Sequence, residues 1–108
     1  MNLNWDGYGP EWRNAQRVTT LPGGASVEGE WHVYAVLWTD AGYTFYVDDV
    51  PLWTTTEAVS RRSQWLHLTC EVDDASWAGF VPAAGYGPRR PEAPGMDVDW
   101  VRAWRVDP

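Results

Sequence analysis

Glu71 and Asp73 are the residues of this chain whose types and spacing most directly suggest chemistry. On a β-strand, positions i and i+2 project from one face with Cα atoms roughly 6.5 to 7 Å apart. The pair is therefore a candidate for two-carboxylate catalysis, and its alternative is a polar wall or a solvated strand end. His67 lies on the same face, but the sequence places no carboxylate beside it, so it is read as a structural histidine.

The second chemical signal is aromatic. Nine Trp and five Tyr in 108 residues exceed what a core of this size requires, and a chain of this length buries only about 60 to 70% of its unfolded surface. Some of these rings are expected to face solvent or a ligand, and broad, weakly polar rings are what sugars stack on. The opposite reading, that each ring is sheet core, holds for most of them. Eight Arg and no Lys against fifteen acidic residues give a net charge of −7, which repels nucleic acid. One cysteine and two histidines cannot form an internal disulfide or a Cys/His zinc cage. No apolar run approaches the ~20 residues of a membrane span, and residues 1–20 lack a secretory layout; no membrane partner is expected.

These side chains need a scaffold, and alternation with turn punctuation predicts an all-β one in a single domain over residues 1–108. A strand is expected over Trp31–Trp38, with Trp31, Val33, Ala35 and Leu37 on one face, His32, Tyr34, Val36 and Trp38 on the other, and both faces covered. Tyr43–Val47 and Val50–Trp53 flank Asp48-Asp49, a pair that tolerates the positive φ values of a type I′ hairpin. Pro51 cannot donate a ladder hydrogen bond, which puts its strand at an edge or its amide outward. Residues 54–63 read as a polar loop with one helical turn at Glu57–Ser60. Gln64–Val72 reads as a strand whose Leu66, Leu68, Cys70 and Val72 are core, and Met96–Val106 as a long terminal strand. Asn2–Trp5 and Arg17–Thr20 are shorter candidates, and 78–95 is a Gly/Pro-rich loop.

The order of these segments carries a resemblance. Asn4-Trp5-Asp6-Gly7-Tyr8-Gly9, the strand Trp31-His32-Val33-Tyr34 followed by Trp38-Thr39, Tyr43-Thr44-Phe45-Tyr46-Val47-Asp48, Glu71-Val72 with Trp77-Ala78-Gly79, and Val98-Asp99-Trp100-Val101-Arg102 come in sequence. Together they resemble the C-terminal half of a family 16 glycoside hydrolase, the laminarinase-like β-glucanases. The resemblance implies a concanavalin-A-like β-jelly roll, an antiparallel β-sandwich with a sugar cleft across its concave sheet, and a secreted protein. It also implies that the catalytic carboxylates lie in an E-x-D-x-x-E strand, a pattern that none of these 108 residues forms. Ser76 stands where an E-x-D-x-x-E reading of Glu71 and Asp73 requires Glu, and the segment order aligns Glu71 with a strand that lines the cleft.

By resemblance, the sugar contacts fall on Asn4, Trp5, Tyr8, Trp12, Glu71 and Trp77, and the partner is a β-glucan or related polysaccharide. For Trp5 the alternative is core, and for Tyr8 and Trp12 it is a loop cap. Asp99 matches a ligand of the family's structural Ca²⁺, an ion that needs six to eight oxygens; no other cofactor is implied. Half a sandwich exposes a core, so the open face is expected to be covered by a second copy of the chain, by a complementing N-terminal half, or by compact rearrangement of the short strands.

Overall fold

The computed structural model describes residues 1–6, 9–17, 19–27, 29–70, 81–85, 87–88 and 95–106. The chain divides into two compact units, residues 1–63 and 64–108. All ladders among the described residues are antiparallel, in two sheets, and there is no α-helix, which is the all-β architecture of a partial jelly roll. No helix of the described residues is long and apolar enough to cross a membrane.

The first sheet is a hairpin of β1 (Asn2–Trp5) and β2 (Arg13–Gln16). Its register pairs Asn2 with Gln16, Leu3 with Ala15, Asn4 with Asn14 and Trp5 with Arg13. Reciprocal bonds between the Met1 amine and Arg17 carbonyl (2.9 Å) and between the Arg17 amide and Met1 carbonyl (3.0 Å) continue the ladder at its open end. The second strand was expected at Arg17–Thr20. The connection after Trp5 is short enough to bring Arg13 opposite it, and this proximity overrides the β-propensity of the later residues; Thr19 and Thr20 form no ladder.

The second sheet is a meander of β3 (Tyr34–Thr39), β4 (Gly42–Val47) and β5 (Val50–Thr55) in that order. Asp48 and Asp49 have φ of 49° and 64°, the left-handed pair a type I′ connection needs. β5 is an edge strand, one of the two placements that Pro51 leaves open. Phe45 pairs with Trp53 and Tyr46 with Pro51, so Leu52 is a bulge. That extra residue shifts the alternation and puts Val50 on the face of Trp53 and Thr55. Gly42 stands where a Cβ would lie 2.6 Å from the Thr55 carbonyl oxygen, so β4 can start close to β5 only without a side chain there.

One face of this sheet carries Tyr34, Val36, Trp38, Tyr43, Phe45, Val47 and Trp53. Phe45 and Trp53 stack at 5.0 Å and 15°, and Tyr43 packs between Trp38 and Phe45 at 6.1 and 6.2 Å. The segment after β5 folds back on this face. The Tyr43 hydroxyl accepts the Ser60 amide at 2.7 Å and faces the Ala58 carbonyl at 3.5 Å, while Trp38 Nε1 donates to the Ser60 carbonyl at 2.9 Å. Tyr43, under this segment, and Val47, in the central strand between Tyr34 and Val50, are the buried apolar residues of the described chain, at 9% and 3% exposure.

Several expectations are corrected. β3 starts at Tyr34 and not at Trp31, because the Asp48 side chain takes the Val33 amide and ends regular pairing there. Its faces are not covered: Tyr34 is 63% exposed, and Val36, Leu37 and Trp38 are exposed too. Glu57–Ser60 is no helical turn, since Ala58 adopts φ 48°. Residues 64–70 and 96–106 form no ladder. Leu66, Leu68, Met96, Val98, Trp100 and Trp104 are exposed, and so is Cys70, which was expected in a core. Alternation marks which side of such a segment is apolar, but a strand forms only when a neighbour completes its hydrogen bonds. Within this second unit Arg102 lies 4.8 Å over the Trp100 ring, a cation–π contact between residues two apart.

Replacing Tyr43 by Phe removes the hydroxyl that fastens the 58–60 segment. The expected loss is about 1 to 2 kcal/mol, read as a lower urea midpoint with an unchanged slope.

Candidate sugar-contact face and the His32–Asp48 pair

β-Alternation places Asn4 and Trp5 on opposite faces of the first hairpin. Leu3, Trp5 and Ala15 are half-buried on one side. The other side is a row of exposed carboxamides: Asn2 opposite Gln16, and Asn4 opposite Asn14. Neighbours in this grid are roughly 5 Å apart across the strands and about 7 Å apart along them. Trp12 directly precedes β2 and is 44% exposed. Its amide is held by the Gly9 carbonyl at 3.1 Å. Arg13 and Asp6 approach to 4.0 Å as exposed charges, a pairing that adds little to stability.

A carboxamide offers an acceptor and two donors in one plane, which suits adjacent sugar hydroxyls, and an exposed indole offers a flat apolar surface. Of the residues expected to touch sugar, Asn4 lies in this row with Asn2, Asn14 and Gln16, Trp12 lies beside β2, and Trp5 is half-buried on the other face of the hairpin. The type of each residue was plain in the sequence, but their shared face follows only from the register. Tyr8, Glu71, Asp73 and Trp77 lie outside the described residues. His67 is exposed. Asp99 is exposed, and no group of three His, Cys, Asp or Glu side chains among the described residues could hold a metal ion. A lone carboxylate does not fit a six- to eight-oxygen calcium site, and no step is built on that ion.

The second meander holds a titrating pair that sequence reasoning treated as strand and turn. His32 is two residues before β3, its side chain only 6% exposed. Its Nδ1 lies 2.7 Å from Asp48 Oδ2, its Nε2 2.8 Å from the Ser26 carbonyl, and Glu30 Oε2 is 3.7 Å from Nε2. Asp48 Oδ1 accepts the Val33 amide at 2.9 Å, and the Asp48 amide donates to the Val33 carbonyl at 2.9 Å. The bond to Asp48 first, and the Ser26 carbonyl second, hold the imidazole above its ordinary range. The Val33 amide first, and His32 second, hold the Asp48 carboxyl below its own. A count from the turn outward places Asp48 beside the residues preceding β3, so the spacing of H-x-Y and F-Y-V-D carried this signal.

Asp48, with a depressed value, contributes stability that is present above about pH 3.9 and lost as pH falls through its folded-state value. His32, with a raised value, contributes stability present below about pH 6.5 and lost as pH rises through its folded-state value. The melting temperature is expected to peak between those limits, and His32→Gln should flatten the alkaline limb and shrink the acid limb to the part that the Val33 amide sustains.

The family model for glycosyl hydrolases family 16 matches residues 1–102. No curated protein and no solved structure gives a significant match.

Proposed function

The chain belongs to glycosyl hydrolases family 16, and from that premise we propose that these residues recognise a β-glucan without cleaving it. The observation that supports this reading is the exposed carboxamide row of Asn2, Asn4, Asn14 and Gln16, with an exposed indole, Trp12, directly before β2. The amides would bond to sugar hydroxyls, and the indole would stack on a sugar face. Family resemblance adds Tyr8 to the sugar contacts proposed for the first unit and gives Glu71 and Trp77 as sugar contacts of the second; Trp5, half-buried on the other face of the hairpin, is not part of the carboxamide row. The glucan is of the β-1,3- or mixed-linkage class.

The absence of cleavage follows from the carboxylate requirement. Retaining hydrolysis needs a nucleophile and an acid about 5 Å apart. No E-x-D-x-x-E occurs in the sequence, and Glu71 and Asp73 lack its third acidic residue. On the described hairpin, Asp6 faces Arg13. Asp48 is committed to His32 and the Val33 amide.

A second reading is favoured by the apolar side chains left exposed on β3. Another β layer, from a second copy of this chain or from an N-terminal half, covers that sheet. In the second of these arrangements the added layer brings the carboxylates, and the assembly hydrolyses glucan.

Titration of intrinsic Trp fluorescence with laminarin and with mixed-linkage glucan, beside a reducing-end assay, tests both readings. The chain is expected to bind weakly and release no reducing ends, and Trp12→Ala should weaken binding about tenfold, or 1.4 kcal/mol. No response at millimolar glucan would leave a scaffold without sugar recognition. Hydrolysis only after addition of a polypeptide carrying E-x-D-x-x-E would establish the second reading.

A further inference from the structure

His32 has an acceptor opposite each ring nitrogen, the Asp48 carboxylate at Nδ1 and the Ser26 carbonyl at Nε2. A neutral imidazole carries one N–H and one lone pair, so it satisfies one of these acceptors and turns its lone pair on the other. Imidazolium alone donates to both. The side chain is 6% exposed, so water replaces a lost contact poorly. Among the described residues, both charged groups against the ring, Asp48 from the β4–β5 turn and Glu30 from the preceding loop, are acidic. Tyr34 meets it edge-on at 6.3 Å between centroids.

The two ends of this bridge are unequal. The Nδ1 proton lies in a 2.7 Å charge-assisted bond to a carboxylate. The Nε2 proton faces a neutral carbonyl, with the Glu30 carboxylate at 3.7 Å and outside hydrogen-bond range. When one proton leaves to solvent it is the Nε2 proton, and the ring's lone pair then opposes the Ser26 carbonyl. Asp48 keeps the Val33 amide through its other oxygen, so the sheet itself is not opened.

We propose that His32 is a proton-operated latch: the doubly protonated ring ties the Ser26 end of the loop before β3 to the turn at Asp48, and loss of the Nε2 proton unties the Ser26 end alone. The latch stands independently of sugar binding, since none of its members belongs to the carboxamide face.

The test is a ¹⁵N NMR titration of the imidazole nitrogens in the full chain, with His67→Gln leaving a single ring to observe. Both nitrogens should carry protons at pH 6.5, where a free imidazole is half-titrated. Nε2 should then lose its proton while Nδ1 keeps its own, and the Ser26 and Val27 amide signals should shift with the same midpoint while those of Tyr34 and Val47 stay in place. Asp48→Asn should lower the midpoint by about one pH unit or more, a tenfold weaker hold on the proton. Glu30→Gln, at an exposed position, should lower it by less and serves if Asp48→Asn does not fold. A midpoint at or below 6.5, a neutral ring protonated on Nε2, or Ser26 and Val27 signals indifferent to the titration would each overturn the proposal.

Discussion

The Asp48 carboxylate ties together the best-organised part of this chain. Its backbone adopts the left-handed conformation that turns β4 into β5. Its two oxygens take the Val33 amide and the His32 ring. A single residue thus shapes the β4–β5 hairpin and fastens to it the segment that enters β3. Asn would tolerate the same backbone angle, but its neutral amide oxygen would hold the imidazolium more weakly than a carboxylate does.

A second constraint is that an apolar sheet face requires a cover. The 58–60 segment supplies it over Tyr43 through bonds to the phenol and to the Trp38 indole, and Tyr43 becomes buried. Beyond its reach, Tyr34, Val36 and Leu37 remain exposed. In residues 64–70 and 96–106 the same pattern of apolar alternation meets no ladder partner, and Trp65 stands 88% exposed. The contrast between Val47 and Trp65 is one of neighbours and not of hydrophobicity. It is the physical ground for expecting a further β layer against this scaffold.

What the sequence makes legible follows from the range of the interactions concerned. The Asp48-Asp49 turn, the edge position of Pro51 and the hairpin they join are local, and the residue types announce them. The resemblance identified the family through ordered short motifs, which the family model matches over residues 1–102. The second strand of the first hairpin was misplaced because pairing with β1 outweighs the β-propensity of Val18, Thr19 and Thr20. Residues 64–70 and 96–106 show the opposite failure, since alternation marks an apolar side and carries no information on whether a partner strand is present. The carboxamide row stayed hidden for a related reason: Asn2, Asn4, Asn14 and Gln16 meet only through register.

Function in this scaffold divides along similar lines. Recognition of a sugar needs exposed planar groups, and one hairpin with Trp12 can present them. Cleavage needs two carboxyl groups held at a fixed separation by a common strand, and the chain has no E-x-D-x-x-E to hold them. Recognition without hydrolysis is the central claim, and a glucan-derived epoxide, which esterifies a catalytic carboxylate on binding, tests it most directly. Intact-mass measurement should find the chain unlabelled while the parent glucan still binds. A single adduct mapped to Glu71 or Asp73 would contradict the account.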